Sequence, residues 1–295
     1  MIRYLGNNEF SPSYEESKVV VLPIPYEATV SYGKGTALGP AAILDASTQV
    51  ELYDEQTGCE PYQIGVATLP PLDFSGISHE RIGDLITPAV SKILADDKWP
   101  LLLGGEHSIT PPVVKAVQKK FPDVTVVQFD AHADLRDSYE GSKMNHACAM
   151  ARVREIVKDA IQIGIRNLSE PEAKLAREKK YKIFYAHQIH HDRGWIKKAL
   201  DSIKSEEVYI TFDLDGFDSS LMPATGTPEP GGIGWYDAVD FMNELFAKKT
   251  VVGMDIVELA PIANLHACDF LAAKLGYKAI AYLNNSGISE KLMDN

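Results

Sequence analysis

The chain is poor in cysteine and in long hydrophobic runs, and both shortages exclude whole classes of protein. Its 295 residues include three cysteines, Cys59, Cys148 and Cys268, without a Cys-x-x-Cys pair. Neither a disulfide framework nor a thiolate zinc site is therefore expected. No run of about 18 apolar residues exists that could form a transmembrane helix. The first residues lack the apolar segment of a signal peptide, so the cytoplasm is the expected compartment.

Basic residues are the other shortage. The chain has 29 Lys and Arg against 41 Asp and Glu, which gives a formal net charge of −12. Phosphate backbones and anionic membranes repel a protein with this excess of negative charge. We therefore expect no nucleic-acid partner and no membrane partner, and a tolerance for cationic small molecules.

Short apolar runs alternate with longer amphipathic segments along the whole chain. Largely apolar, β-branched runs are typical of strands that are buried on both faces of a parallel sheet. Repeated strand–helix–strand order predicts an α/β protein with one mostly parallel sheet. No linker or charge block divides the sequence, so residues 1–295 are expected to form a single domain. The predicted strands are 19–22, 100–103, 124–129, 161–165, 182–185, 208–212 and 251–254, and the predicted helices are 111–120, 170–179 and 235–247.

Acidic residues and histidines follow four of the predicted strands directly. Ligands of open parallel sheets bind beyond the carboxyl ends of the strands, so these four segments should meet in one crevice. The segments are Gly-Gly-Glu-His-Ser at 104–108, Asp-Ala-His-Ala-Asp at 130–134, Asp-Leu-Asp-Gly-Phe-Asp at 213–218 and Asp-Ile-Val-Glu at 255–258.

Two of these segments have the spacing of metal ligands. Alternate residues of extended chain share a face, so the acids and the histidine of 130–134 can point at one spot, as can the acids of 213–215. A single Asp-x-Asp after a strand is more often a turn or a helix cap, but several such segments in one chain favour a site. Clustered carboxylates repel one another unless cations neutralise them. Four aspartates with two histidines match a pair of divalent ions, of which manganese suits this ligand set. The candidate ligands are His107, Asp130, His132, Asp134, Asp213 and Asp215.

The four segments, taken in order, resemble the motifs of the ureohydrolase family, which contains arginases, agmatinases and formimidoylglutamases. The loop 224–232 and the segment 35–42 resemble further family signatures, and the resemblance extends from about residue 26 to residue 261. It implies a three-layer α/β/α, arginase-like fold and a homotrimer or homohexamer. It also implies two Mn²⁺ per subunit and hydrolysis of a guanidino group to urea by water that both ions activate.

The resemblance gives individual residues a role. His146 takes the position of the family's proton-shuttling histidine, and Glu258 would hold the substrate guanidinium. Asp134 and His146 are the candidates to protonate the leaving amine. Glu106 stands where many members have Asp, and it is not a predicted ligand. The implied metal ligands are His107 and Asp134 for one ion, His132 and Asp215 for the other, and Asp130 and Asp213 for both.

The substrate is indicated by what an arginase needs and this chain lacks. Arginases carry an Arg-Asp-x-Asp segment, which here reads Arg166-Asn167-Leu168-Ser169. A carboxylate buried without donors is costly, so a decarboxylated substrate is favoured. Agmatine, cleaved to putrescine and urea in polyamine biosynthesis, fits best. N1-aminopropylagmatine, which would give spermidine, and guanidinobutyrate are the alternatives; Lys143 could pair with the latter, although an exposed loop lysine is expected more often.

Three other interpretations of the sequence are open. His187, His190 and His191 could suggest a second metal site, but without carboxylates in step with them a surface loop is expected. A deacetylase on a related fold would use one zinc ion and fewer acids. A non-catalytic metal-binding homologue would not need all six ligands together with Glu258. Metal content and urea release from a panel of guanidino compounds would separate these possibilities.

Overall fold

A computed structural model describes residues 2–6 and 12–286, and its centre is a sheet in which all neighbouring strands run parallel. The strand order is β2-β1-β3-β8-β7-β4-β5-β6. All seven predicted strands are confirmed, and β2 was missed because three residues are too short to show a pattern. The strands are β1 (Val19–Ile24), β2 (Val66–Thr68), β3 (Trp99–Gly104), β4 (Thr125–Phe129), β5 (Asp159–Ile165), β6 (Lys182–Tyr185), β7 (Glu207–Asp213) and β8 (Thr250–Val257).

Helices connect most of these strands. The three predicted helices are confirmed to within one residue as α3, α5 and α8 of the set given below. In the described ranges, no helix is both long and apolar enough to cross a membrane. The helices are α1 (Gly39–Ser47), α2 (Gly83–Ala95), α3 (Thr110–Lys120), α4 (Ala149–Ile156), α5 (Glu170–Lys179), α6 (Ala186–His191), α7 (Trp195–Ser202), α8 (Trp235–Lys248) and α9 (His266–Asn285).

The sheet lies between two helix layers, as the three-layer prediction requires. Side chains alternate along each strand, so that Val19 and Val21 belong to one hydrophobic core and Val20 and Leu22 to the other. Helices α1 and α6–α9 pack in the first core, and α2–α5 pack in the second. Because both faces are covered, every central strand has to be apolar on both sides, which explains the runs in the sequence.

The strands that carry the polar segments are neighbours in the sheet. The order β3-β8-β7-β4 is uninterrupted, so four acid-bearing or histidine-bearing ends open at one edge. The turn after β3 comes very close to the segment that follows β1, since a Cβ on Gly105 would lie 2.0 Å from the Tyr26 carbonyl oxygen. Glycine is therefore required there, just before Glu106 and His107.

The second histidine cluster does not lie on a loop, so that prediction was wrong. His187, His190 and His191 are exposed residues of α6. A helix forms because Ala186 and Ile189, three residues apart, are buried and give the segment one apolar face. The three histidines line a cavity of about 860 Å³ that also contains Arg166 among its lining residues.

Candidate metal centre

Five of the six predicted ligands come together at the ends of β3, β4 and β7 in two compact groups. In each group the ligand atoms lie within 4.8 Å of one another, and Asp130 belongs to both. Across residues 2–6 and 12–286, no further trio of His, Cys, Asp or Glu side chains converges in this way. The first group is His107, Asp130 and Asp134, and the second is Asp130, His132 and Asp215.

The imidazole of His107 is oriented as a ligand. Its Nδ1 lies 3.1 Å from an oxygen of Asp130 and 3.2 Å from one of Asp134, and it forms no hydrogen bond within the described chain. Its Nε2 lies 2.9 Å from the hydroxyl of Thr211, which donates its proton to Asp255 at 2.7 Å. The hydroxyl can therefore only accept from His107, so Nε2 carries a ring proton and Nδ1 is the nitrogen that faces the carboxylates.

Asp130, the residue shared by both groups, is held by hydrogen bonds to each of its oxygens. Its Oδ1 accepts from the backbone N–H of His132 at 2.5 Å, and its Oδ2 accepts from the Gln128 side chain at 2.6 Å. Gln128 is itself fixed by the amide of Gln162 at 2.6 Å. All the side chains that orient this carboxylate are fully buried, so its direction is set by the sheet.

The second group is built around His132, which is half-buried. Its Nδ1 lies 2.9 Å from Asp215 Oδ2 and 3.6 Å from Asp130 Oδ1. Asp213 belongs to neither compact group: its Oδ2 is 3.3 Å from His107 Nδ1, while its Oδ1 accepts from the backbone N–H of Asp215 at 2.9 Å. Asp213 thus lies beside the first group, and its bridging role stays a prediction.

The charges of the cluster fit a pair of cations. Burial and the charge of Asp130 raise the pKa of Asp134 to about 7. Burial, followed by the charge of Asp215, raises the pKa of Asp213 well above its ordinary value. Carboxylates that resist ionising together need positive charge between them, and divalent ions supply it. With oxygen and imidazole donors and no thiolate, the donor set suits a hard or borderline ion such as manganese.

Two of the candidate residues have a strained backbone. Asp134 has φ of 53° and Glu258 has φ of 68°, a left-handed conformation that residues other than glycine rarely adopt. Glu258 is held by its backbone N–H, which donates to Gly105 at 2.8 Å, and by one carboxylate oxygen, which accepts from the N–H of His107 at 2.7 Å. Strain of this kind costs about 1–3 kcal/mol per residue and clusters at functional sites.

A cavity of about 160 Å³ opens over the cluster. His146 and Glu258 both line it, together with four of the metal-ligand candidates, His107, His132, Asp134 and Asp213. Asp130 and Asp215 are not lining residues, but they belong to the ligand groups that His107, His132 and Asp134 form. Burial and then the charge of Glu106 raise the pKa of Glu258 well above its ordinary value. A buried acid of this kind is suited to a cationic ligand.

Comparison with known proteins decides the family. The sequence profile of the arginase family matches residues 17–281. The chain belongs to this family. It is 44% identical over 285 residues to the N(1)-aminopropylagmatine ureohydrolase of Synechocystis sp., and the alignment covers 95% of this chain and 93% of that protein. It is 35% identical to the agmatinase of Bacillus cereus, with 85% and 86% covered. The solved agmatine ureohydrolase of Thermoplasma volcanium has a TM-score of 0.87 at 34% identity, with 98% and 96% covered.

The chain is therefore an arginase-family hydrolase, and this family depends on a binuclear metal centre. Lys143 lies outside the residues that line the cavity; its side chain is 64% exposed and lies 3.1 Å from Asp137.

Sequence reasoning missed Arg136, Tyr139 and Thr227 as cavity residues of the arginase-family site. They lie in loops, where no periodicity indicates which way a side chain points.

Proposed function

We propose that this chain hydrolyses the guanidino group of a linear amine to urea and the free amine, using two manganese ions held by the six predicted ligands. The observation that carries the proposal is the pair of ligand groups sharing Asp130, with Glu258 and His146 lining the same cavity. Two divalent ions bound there would supply the Lewis acidity that makes water a nucleophile near neutral pH.

Glu258 binds and orients the substrate in this proposal. One of its oxygens accepts from the N–H of His107, which fixes the carboxylate at the edge of the cavity. A guanidinium presents parallel N–H donors that match a carboxylate, and a cation offsets the burial of this acid. The guanidinium is thereby held beside the metal-ligand cluster.

His146 moves the proton that the reaction needs. Burial lowers the pKa of His146, so the ring is neutral near pH 7 and can accept a proton. A neutral imidazole that gains a proton can then donate it to the leaving amine as general acid, with Asp134 as the second candidate carrier.

The substrate class follows from the missing anchors. The Asn167 amide donates to Glu229, and the arginase-type aspartates are absent at Asn167 and Ser169. Among the described residues that line the cavity, Arg136 is the only Lys or Arg side chain that could pair with an α-carboxylate. N1-aminopropylagmatine, giving spermidine, is the first candidate because relatives of that name reach 44% and 38% identity. Agmatine, giving putrescine, is the second, supported by the Bacillus and Thermoplasma proteins.

The test is urea release by the purified, manganese-supplied protein from N1-aminopropylagmatine, agmatine, arginine and guanidinobutyrate, compared as kcat/KM. The two amines should exceed arginine by several orders of magnitude, roughly 10⁴-fold where a polar anchor is missing. Asp130→Asn is the matched inactive control. Equal or better cleavage of arginine would contradict the substrate class, and no urea from any compound would contradict the function. If guanidinobutyrate is best and Lys143→Ala abolishes its cleavage, the carboxylate is bound after all.

A further inference from the structure

Glu106 is a fully buried carboxylate that the metal cluster does not use, although it precedes His107. Its Oε2 accepts from the backbone N–H groups of Ala28 and Thr29, both at 2.6 Å. Its Oε1 accepts from the hydroxyl of Thr29 at 2.8 Å and from that of Ser108 at 2.5 Å. Four donors therefore satisfy this acid, and it belongs to neither ligand group.

The hydroxyl of Thr29 links Glu106 to His146. Its oxygen lies 3.1 Å from His146 Nδ1 and accepts from the His146 backbone N–H at 3.0 Å. A hydroxyl has one proton, and here the carboxylate oxygen needs it, since two acceptors at 2.8 Å would otherwise repel. Thr29 must then accept from the ring, so Nδ1 of His146 carries the proton and Nε2 is bare.

Other contacts hold the ring in place. The Asn145 side chain caps the 3₁₀ turn His146–Cys148 by accepting from the backbone N–H of Ala147 at 3.0 Å. The Tyr139 ring meets the imidazole edge-on, with centroids 6.4 Å apart and planes at 89°. The position of the ring is thus set by the turn and by Tyr139, while its protonation pattern is set by Thr29.

We propose that Thr29 and Glu106 are positioning residues for His146: they hold the imidazole in its Nδ1–H form, so that Nε2 is the nitrogen that exchanges protons with the substrate. This inference rests on the proposed function, in which His146 carries a proton. Glu106 acts through Thr29 and does not touch the substrate.

The kinetic test is Thr29→Val, which removes the hydroxyl and leaves both backbone N–H bonds to Glu106 in place. Because the wrong tautomer leaves no lone pair on Nε2, kcat should fall about 10–100-fold, the usual effect of losing an orienting partner, with KM within about twofold. Thr29→Ser keeps the hydroxyl and should restore most of kcat. An unchanged kcat in Thr29→Val, or equal losses in Thr29→Ser and Thr29→Val, would overturn the proposal.

Thr36→Val is the matched control, because the buried Thr36 hydroxyl lies in the same segment and donates to a carboxylate, that of Glu27, at 3.2 Å. Its kcat should stay near that of the unchanged protein. A loss as large as that of Thr29→Val would assign the effect to general loosening of the segment and overturn the proposal.

A spectroscopic test needs no substrate. Two-bond ¹H–¹⁵N spectra of the full chain, labelled in histidine and loaded with Mg²⁺, should show His146 protonated at Nδ1 and bare at Nε2, with His146→Ala giving the assignment. In Thr29→Val the two tautomers should mix. A wild-type ring protonated at Nε2 would overturn the inference even if urea is released. Absence of urea release would refute the proposed function and leave this tautomer measurement standing.

Discussion

Lys278→Met should lower the free energy of unfolding by about 3–5 kcal/mol, because it leaves a buried carboxylate without its cation. The Lys278 side chain on α9 is 2% exposed, and its Nζ lies 2.8 Å from Oδ2 of the fully buried Asp54. Methionine fills a similar volume, so the change removes charge with little loss of packing.

The magnitude follows from the partners that remain. Oδ1 of Asp54 keeps the N–H and hydroxyl of Thr57, both at 2.9 Å, but Oδ2 has no other hydrogen-bond donor in the described chain. Glu55, whose side chain is 72% exposed, is also bound by Lys278 at 3.0 Å, and this exposed contact adds about 1 kcal/mol or less. Most of the lost stability therefore comes from leaving Asp54 without its buried partner, and the melting temperature should fall by roughly 6–15 °C.

The free energy of unfolding is measured by urea denaturation of the wild type, of Lys278→Met and of the double variant Lys278→Met/Asp54→Asn. The double variant should recover much of the stability that Lys278→Met loses. Burial opposes ionisation of Asp54, but hydrogen bonds from Lys278 and Thr57 outweigh it and lower the pKa of the carboxyl. A lowered pKa in the folded state stabilises the protein above about pH 4 and loses that effect as the pH falls through the folded value. The difference between wild type and variant should shrink there. A loss below about 1 kcal/mol at pH 7 would refute the reasoning.

Three further predictions concern the site. Asp130→Asn should lose both metal ions, and His107→Ala should lose mainly one, as measured by elemental analysis of the purified proteins. Two ions per subunit in Asp130→Asn would contradict the proposal that Asp130 binds both. Glu258→Gln should lower kcat/KM for every guanidino substrate by the same factor, with the metal content unchanged. A loss of kcat/KM for some of these substrates and not for others would contradict the role of Glu258 in guanidinium binding. Thr211→Val should weaken metal affinity about 10–100-fold in a titration of the metal-free protein, because His107 loses the acceptor that fixes its tautomer.

Helices could be predicted from the sequence where one face is apolar and the opposite face is polar. Helix α5 begins with Ser169 and Glu172 in a capping box and keeps a polar face, so its pattern is visible in the sequence. Helix α9 buries residues on most sides, from Ala272 to Leu283, and therefore shows no single apolar stripe. Its existence follows from contacts with α1 and α8, which the sequence does not contain.

The ligands could be predicted because each lies a fixed step beyond a strand. Their orienting partners could not, since those partners are joined through space. Thr29 lies 117 residues from His146, and Thr211 lies 104 residues from His107. These pairs become neighbours only through the strand order and the path of the loop after β1. Glu106 departs from the family pattern, but nothing in the sequence indicates that its carboxylate binds that loop.

Two of the histidines at the cavity, His107 and His146, have the same kind of partner, but at opposite ring nitrogens. In each case a buried carboxylate accepts a hydrogen bond from a threonine hydroxyl, so that the threonine oxygen can only accept from the imidazole. Asp255 acts on His107 at Nε2 and leaves Nδ1 free, on the side of the ligand groups. Glu106 acts on His146 at Nδ1 and leaves Nε2 free for the proton that the proposed reaction requires. Which nitrogen of each ring is left free thus depends on which nitrogen meets the threonine hydroxyl, and the fold determines this by the strand end or loop from which the threonine approaches.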